Sequence, residues 1–253
     1  MAAPTTITIT LPQIAKMIDH SLLHPASGDK EIRAGLEVAK RFNVAAACVK
    51  PYSVPLAKEV LAGSDVLVCA VVGFPHGIST TKIKVLEAEQ AVEDGAREVD
   101  MVVNIGKVRS DDFEYVAREI RAVNEAVVRR GAALKVVFES DFLPDIHVAH
   151  ICLICSSIRV AFVKAAFFKQ PGRFYESQGK AVSRLGLMKA NVSNGVRIKA
   201  AGGIRSLDEL FTVMLAGGSR IGAASTAAIL EEAIDRGIGS IPVQIALPAS
   251  ADK

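Results

Sequence analysis

Short β-branched, apolar runs alternate with amphipathic stretches along the whole chain, and that rhythm restricts the available folds more than any other feature. The runs with strand character are 17–22, 44–49, 66–73, 98–104, 134–140, 160–166, 196–202 and 220–224. Between them, 30–42, 54–61, 81–94, 113–130, 179–191 and 207–215 place apolar residues at three- and four-residue steps, the helical period. Consecutive strands joined by helices run parallel. About eight such units in 253 residues favour an α/β fold of the TIM (β/α)8 barrel type over an open doubly wound sheet. Half of the residues are hydrophobic and there is no Trp, so the core is aliphatic, as suits parallel strands buried on both faces.

No linker, low-complexity tract or charge run divides the chain, and 1–253 is read as a single domain with frayed ends at 1–12 and 243–253. A net charge of +3 without a Lys/Arg block argues against nucleic acid or acidic membrane as a partner. Four cysteines, Cys48, Cys69, Cys152 and Cys155, lack the spacing of a disulfide framework and point to a reducing compartment. The Cys152–Cys155 pair reads as buried thiols on one helical face rather than as a metal or redox motif. With no signal segment or membrane span in the sequence, the expected location is cytoplasmic.

Two lysines stand where an ammonium group is costly. Lys164 in RVAFVKAAFF and Lys199 in VRIKAAGG each end an apolar strand run. An unpaired charge there costs several kcal/mol unless the amine is neutral. A neutral buried amine attacks carbonyl carbon, so the pair suggests Schiff-base chemistry, one lysine as nucleophile and the other as the cation that depresses its pKa. Barrel strands turn alternate residues inward, and active sites occupy the C-terminal strand ends. If Val99, Met101 and Val103 face the helices, Asp100 and Asn104 face inward, and the same count turns Lys199 inward and groups Phe162 with Lys164. Asp100, Lys164 and Lys199 then meet at one mouth as two cations and one carboxylate, a positive site suited to an anionic substrate. A purely structural ion pair within the barrel is the plainer alternative, but it leaves the second lysine unexplained.

Glycine pairs follow the last strands: Gly202 and Gly203, with Ile204 and Arg205 after them, and Gly217 with Gly218. Such turns let backbone amides approach an anion at a helix start, where barrels often bind phosphate, and Ser206 has the place of an N-cap. The long segment between Ala166 and Gly179, FFKQPGRFYESQ, is expected to shape the substrate site. The histidines do not make a metal site. His20 and His24 straddle a strand-like stretch that ends at Pro25, His147 and His150 have no carboxylate at ligand spacing, and His76 lies in a loop.

These residues lie in motifs that resemble the deoxyribose-phosphate aldolase family, the class I Schiff-base aldolases joining acetaldehyde and glyceraldehyde 3-phosphate. The resemblance runs in order through IDHSLLHP from 18, GFPHG from 73, EVDMVVNIGK from 98, LKVVFES from 134, FVK from 162, IKAAGGIRS from 198 and RIGAAS from 220. It implies that Lys164 forms the imine, that Lys199 lowers the Lys164 pKa and that Asp100 relays protons. It implies cleavage of 2-deoxy-D-ribose 5-phosphate after its C3 hydroxyl loses a proton, with no cofactor and no metal. Partners would be small sugar phosphates and aldehydes, and a homodimer is compatible with the family although no interface signal is visible. Gly202, Gly203, Ile204, Arg205, Ala224 and Ser225 would line the substrate and phosphate site. Two departures stand out: Ala165, Ala166, Phe167 and Phe168 replace the family's Thr-Ser-Thr-Gly, and Ala224–Ser225 replaces a Ser-Ser pair. Both remove hydrogen-bond donors, each worth roughly 0.5–1.5 kcal/mol. Lys169, Arg173 or Lys180 could compensate, and the alternative reading is a non-catalytic or specificity-altered sugar-phosphate-binding barrel.

Overall fold

The computed structural model describes residues 6–166, 177–193 and 195–247, without the side chains of 177–182. Eight strands close into a barrel in chain order: β2 (Ile18–Leu22), β3 (Ala46–Val49), β4 (Leu67–Val72), β5 (Glu98–Val102), β6 (Ala133–Glu139), β7 (Phe162–Ala166), β8 (Arg197–Ala201) and β9 (Arg220–Ala223). Every neighbouring pair is parallel, and β2 against β9 completes the ring. Each expected strand forms, with ends within two residues of those read from the pattern. The helices relevant to the site are α2 (Asp29–Arg41), α3 (Val54–Val60), α4 (Thr81–Asp94), α5 (Ile105–Arg109), α6 (Phe113–Val128), α7 (Asp145–Ile158), α8 (Ser177–Asn191), α9 (Leu207–Leu215) and α10 (Thr226–Asp235).

The main core lies between strands and helices. Outward residues such as Val99, Met101, Leu134, Val136, Val163, Ile198 and Ile221 are buried against helix residues including Ile32, Leu36, Ile120, Val123, Ile151 and Leu210. Burying an aliphatic side chain of this size is worth about 1.5–3 kcal/mol, so this shell supplies the driving force for closure. The barrel interior offers far less apolar surface. Its small second cluster consists of Ala46, Cys48, Cys69 and Val71.

The ends are not frayed over 6–12 and 243–246, contrary to the sequence reading. Residues Thr6–Ile9 form β1, which pairs antiparallel with β10 (Val243–Ala246). Between β1 and β2 a short helix, α1 (Leu11–Ala15), is fixed by a reciprocal capping box of Thr10 and Gln13. Thr6–Ile9 alternates two β-branched residues as a strand does, but the segment is short and its pairing with the other end of the chain has no local sequence signature.

Turn chemistry explains the GFPHG motif. Gly73 and Gly77 have φ of +61° and +67°. A Cβ on Gly77 would lie 1.9 Å from the Val103 carbonyl oxygen, so the turn after β4 can lie against the end of β5 only without a side chain there.

Candidate active site

Strand register brings the charged residues of different strands level with one another inside the barrel. Asp100 pairs with Lys135, Val137 with Lys164, Lys164 with Lys199, Lys199 with Arg220, and Asp19 with Gly222. Side-chain alternation turns all of these charged groups inward. The result is a buried ion cluster much larger than the expected two lysines and one carboxylate. Four cations (Lys135, Lys164, Lys199 and Arg220) interlock with three carboxylates (Asp19, Glu98 and Asp100).

Asp100 is its centre. Its Oδ2 accepts from Lys164 Nζ at 2.7 Å and from Lys199 Nζ at 2.9 Å, and its Oδ1 accepts from Lys135 Nζ at 2.9 Å and from Cys69 Sγ at 3.1 Å. Burial favours the neutral acid, but Lys135, Lys164 and Lys199 overcome it and hold the Asp100 carboxyl well below the usual carboxylate range. For Lys199, burial opposes the charge, yet Asp100 and Asp19 raise its pKa above the ordinary lysine value. Lys199 also donates to Asp19, which in turn binds Arg220 at 2.5 Å. The pair at the mouth therefore contains one firmly cationic lysine, Lys199. The other, Lys164, is the more open, with 6% of its side chain exposed against 1% for Lys199 and none for Lys135.

The lower layer was not anticipated. Lys135 Nζ lies 2.6 Å from Glu98, 2.9 Å from Asp100 and 3.2 Å from Asp19, and these carboxylates raise its pKa although burial acts against the charge. Phe162 lies beneath the Arg197 and Arg220 guanidinium groups, 3.9 and 5.2 Å from its ring centre. Cys48 and Cys69 are level neighbours on β3 and β4, packed with Ala46 and Val71 on one side and reaching Asp100 and Lys135 on the other. With Asp100 they bring three potential ligand atoms within 4.8 Å of one another. Three ammonium groups already hold the Asp100 oxygens, and that positive surrounding opposes a further cation.

Several expected positions fall elsewhere. Asn104 does not reach the barrel interior, because β5 ends at Val102 and the Asn104 side chain caps α5, accepting from Lys107 N. Gly202 and Gly203 do follow β8 with φ of +103° and +82°, at the strand end where an anion could approach. Ile204 faces the core instead, so only its backbone is available. Arg205 is exposed, and its amide donates to Glu209 Oε2 at 2.6 Å. Ser206 is the N-cap of α9, and its capping box with Glu209, together with a bond from Leu207 N to Glu232, satisfies that helix start with two carboxylates. This leaves the α9 start a poorer anion site than the glycine pattern implied. Ala224 is exposed just beyond β9, and Ser225 is the N-cap of α10 without a side-chain cap bond. Ala165 faces the core and Ala166 ends β7, whereas Phe167, Phe168, Lys169 and Arg173 and the side chain of Lys180 lie outside the described residues.

The histidines have structural partners. His20 Nδ1 pairs with Thr226 Oγ1 at 2.8 Å, and His147 Nε2 lies 3.0 Å from Asp111 Oδ1. Cys152 and Cys155 are buried in α7, and burial pushes the Cys152 thiol up to about 12. Among the described residues no helix is long and apolar enough to cross a membrane.

Known proteins resemble this chain in sequence and in fold. The sequence model for the DeoC/LacD family of aldolases matches residues 13–140. A deoxyribose-phosphate aldolase of Rhodopirellula baltica is 40% identical over 220 residues, covering 87% of this chain and 89% of the relative. One from Caldanaerobacter subterraneus is 40% identical over 231 residues, covering 91% and 97%. A solved aldolase structure, QR15, superposes with a TM-score of 0.80 at 32% identity, covering 88% of this chain and 97% of that one.

Proposed function

Since the chain belongs to the DeoC/LacD aldolase family, we propose that it is a deoxyribose-phosphate aldolase. In this reading it cleaves 2-deoxy-D-ribose 5-phosphate reversibly to D-glyceraldehyde 3-phosphate and acetaldehyde through an imine on Lys164. The observation that carries the assignment is the single oxygen shared by two amines: Asp100 Oδ2 holds Lys164 and Lys199 together at the barrel mouth. Asp100 and Asp19 hold Lys199 cationic, and Lys164, the more open of the two, gives up its proton to become the amine offered to a carbonyl carbon. After the substrate aldehyde condenses on Lys164, the iminium draws electrons from the C2–C3 bond while the C3 hydroxyl gives up its proton. Glyceraldehyde 3-phosphate leaves, C2 of the enamine takes a proton, and hydrolysis frees acetaldehyde. Asp100 keeps the two nitrogens in register and, with Lys199, makes up the proton relay. The Gly202–Gly203 turn, with positive φ at both residues, and the Ser225 hydroxyl, which makes no cap bond at the start of α10, support phosphate binding on the β8–β9 side. The same reading takes the chain as one domain acting on small molecules in the cytoplasm, in keeping with its four free thiols.

Borohydride added with acetaldehyde tests the reading. Mass spectrometry is expected to find a two-carbon adduct on Lys164. Folded protein whose Lys164 stays unmodified, or a Lys164→Ala variant that keeps wild-type cleavage, refutes it.

A further inference from the structure

One ionisable group at the barrel mouth has no part in the scheme above. Glu139 is the last residue of β6, level with Ala166 of β7 and one inward position above Val137, which is level with Lys164. Strand alternation places it on the same face as Lys135, toward the barrel axis. It is 1% exposed, and neither carboxyl oxygen has a hydrogen-bond partner among the described residues. A buried carboxyl normally has its partners. Lys164 is near enough to act on it electrostatically, yet no ion pair joins the two, so a gap separates the amine from the carboxyl. Asp100 is already engaged, since its oxygens are held by the amines of Lys135, Lys164 and Lys199.

Resting on the Schiff-base reading, we propose that Glu139 is the proton donor for imine formation: it protonates the hydroxyl of the carbinolamine on Lys164, and that oxygen leaves as water. The carbon–oxygen bond breaks, the nitrogen lone pair becomes the second carbon–nitrogen bond, and the proton from Glu139 goes out with the departing hydroxide. A carboxylate and an iminium remain side by side, each compensating the other's charge. In hydrolysis the steps reverse, and the Glu139 carboxylate takes a proton from the attacking water. The group fits this exchange at neutral pH. Burial pushes its pKa up to about 7, against the lowering effect of Lys164 from β7 and with a smaller push from Asp141 in the turn after β6.

The test is a timed trapping experiment on the full chain. Acetaldehyde is mixed with wild type and Glu139→Gln across a pH series, borohydride stops the reaction at intervals, and the Lys164 adduct is counted. Wild type is expected to show a descending rate limb near pH 7, where the donor loses its proton. In Glu139→Gln that limb should vanish and the trapping rate should fall by roughly 10²–10⁴-fold, the usual span for general acid catalysis, while the final adduct yield stays the same. A variant that traps at the wild-type rate with the wild-type pH profile overturns the assignment. Should Glu139→Gln not fold, the wild-type profile decides alone, and a rate without a descending limb between about pH 6 and 8 refutes a donor of this kind. Wild type that never forms the adduct defeats the Schiff-base reading itself, whereas a normal adduct formed independently of Glu139 defeats only this inference.

Discussion

Replacing Lys135 by Met keeps a stem of similar length in the barrel and deletes only the charge at the bottom of the ion cluster. The ammonium serves three carboxylates, at 2.6 Å from Glu98, 2.9 Å from Asp100 and 3.2 Å from Asp19. At an effective dielectric constant of about 20, each contact near 3 Å is worth roughly 5 kcal/mol, offset by the cost of burying the ions. The net loss depends on which carboxylate is stranded. Asp19 keeps Lys199 and Arg220, and Asp100 keeps Lys164 and Lys199 on Oδ2. Glu98 keeps only Arg220, at 3.4 Å. One incompletely paired buried carboxylate corresponds to about 3–5 kcal/mol of lost stability, or a melting temperature lower by roughly 6–20 °C for a domain of this size. Urea unfolding at neutral pH measures the difference. The sign of its pH dependence follows from linkage: Asp19 and Asp100 have pKa values below their unfolded values, so their contribution is present above about pH 4 and is lost as the pH falls. Wild type and variant should therefore converge in acid. A loss under about 1 kcal/mol at neutral pH would refute the view that Lys135 is required for pairing, since it would mean that the remaining groups re-pair without it.

Gly77→Ala places a methyl group 1.9 Å from the Val103 carbonyl oxygen at a φ of +67°, so the variant should lose about 3 kcal/mol or more in chemical denaturation, and a neutral result would contradict the close approach. His20, which burial lowers to about 4, stays neutral in the folded chain but charges below about pH 6.5 once unfolded. Stability should thus be fully present above pH ~6.5 and fall by roughly 3 kcal/mol as the pH drops through about 4, and His20→Gln should flatten that part of the curve; an unchanged slope would place the titration elsewhere.

The fold could be read from the sequence because its driving force is periodic. Val99, Met101 and Val103 mark one face of a strand, and Leu210 and Phe211 sit on the buried side of a helix whose N-cap, Ser206, closes the motif that contains Lys199. What escaped notice was set by contacts distant in sequence. Thr6–Ile9 meets Val243–Ala246 across nearly the whole chain, and the alternation within each short segment does not say which partner it takes. Asp19, Glu98, Lys135 and Arg220 were missed for a related reason. Each lies at or near the start of its strand, where a charge normally signals a solvated edge, and each becomes interior only when the ring closes. The inward count that found Asp100 and Lys199 would have found all four had it been applied to every strand. Past the glycines after β8, the Arg205 amide is already taken by Glu209 and the Leu207 amide by Glu232, carboxylates whose pairing depends on the helices and is not visible in the Gly-Gly-Ile-Arg turn itself.

The cluster also constrains the chemistry proposed for Lys164. Asp100 Oδ2 holds that nitrogen at 2.7 Å, and Asp100 remains ionised because three cations surround it. A fixed carboxylate stabilises whichever state of its neighbour is positive. The iminium is positive, and the enamine that follows carbon–carbon cleavage is neutral on the same nitrogen. The difference draws the enamine toward protonation at C2, which restores the iminium and its contact with Asp100. Such differential binding requires a carboxylate that is ionised beside the reacting carbon, and Lys135 and Lys199 keep Asp100 in that state although burial favours the neutral acid. The deep lysines and the mouth lysine are thus parts of one arrangement. The lower layer fixes the charge of Asp100, and in the proposed scheme Asp100 sets which intermediate on Lys164 is favoured.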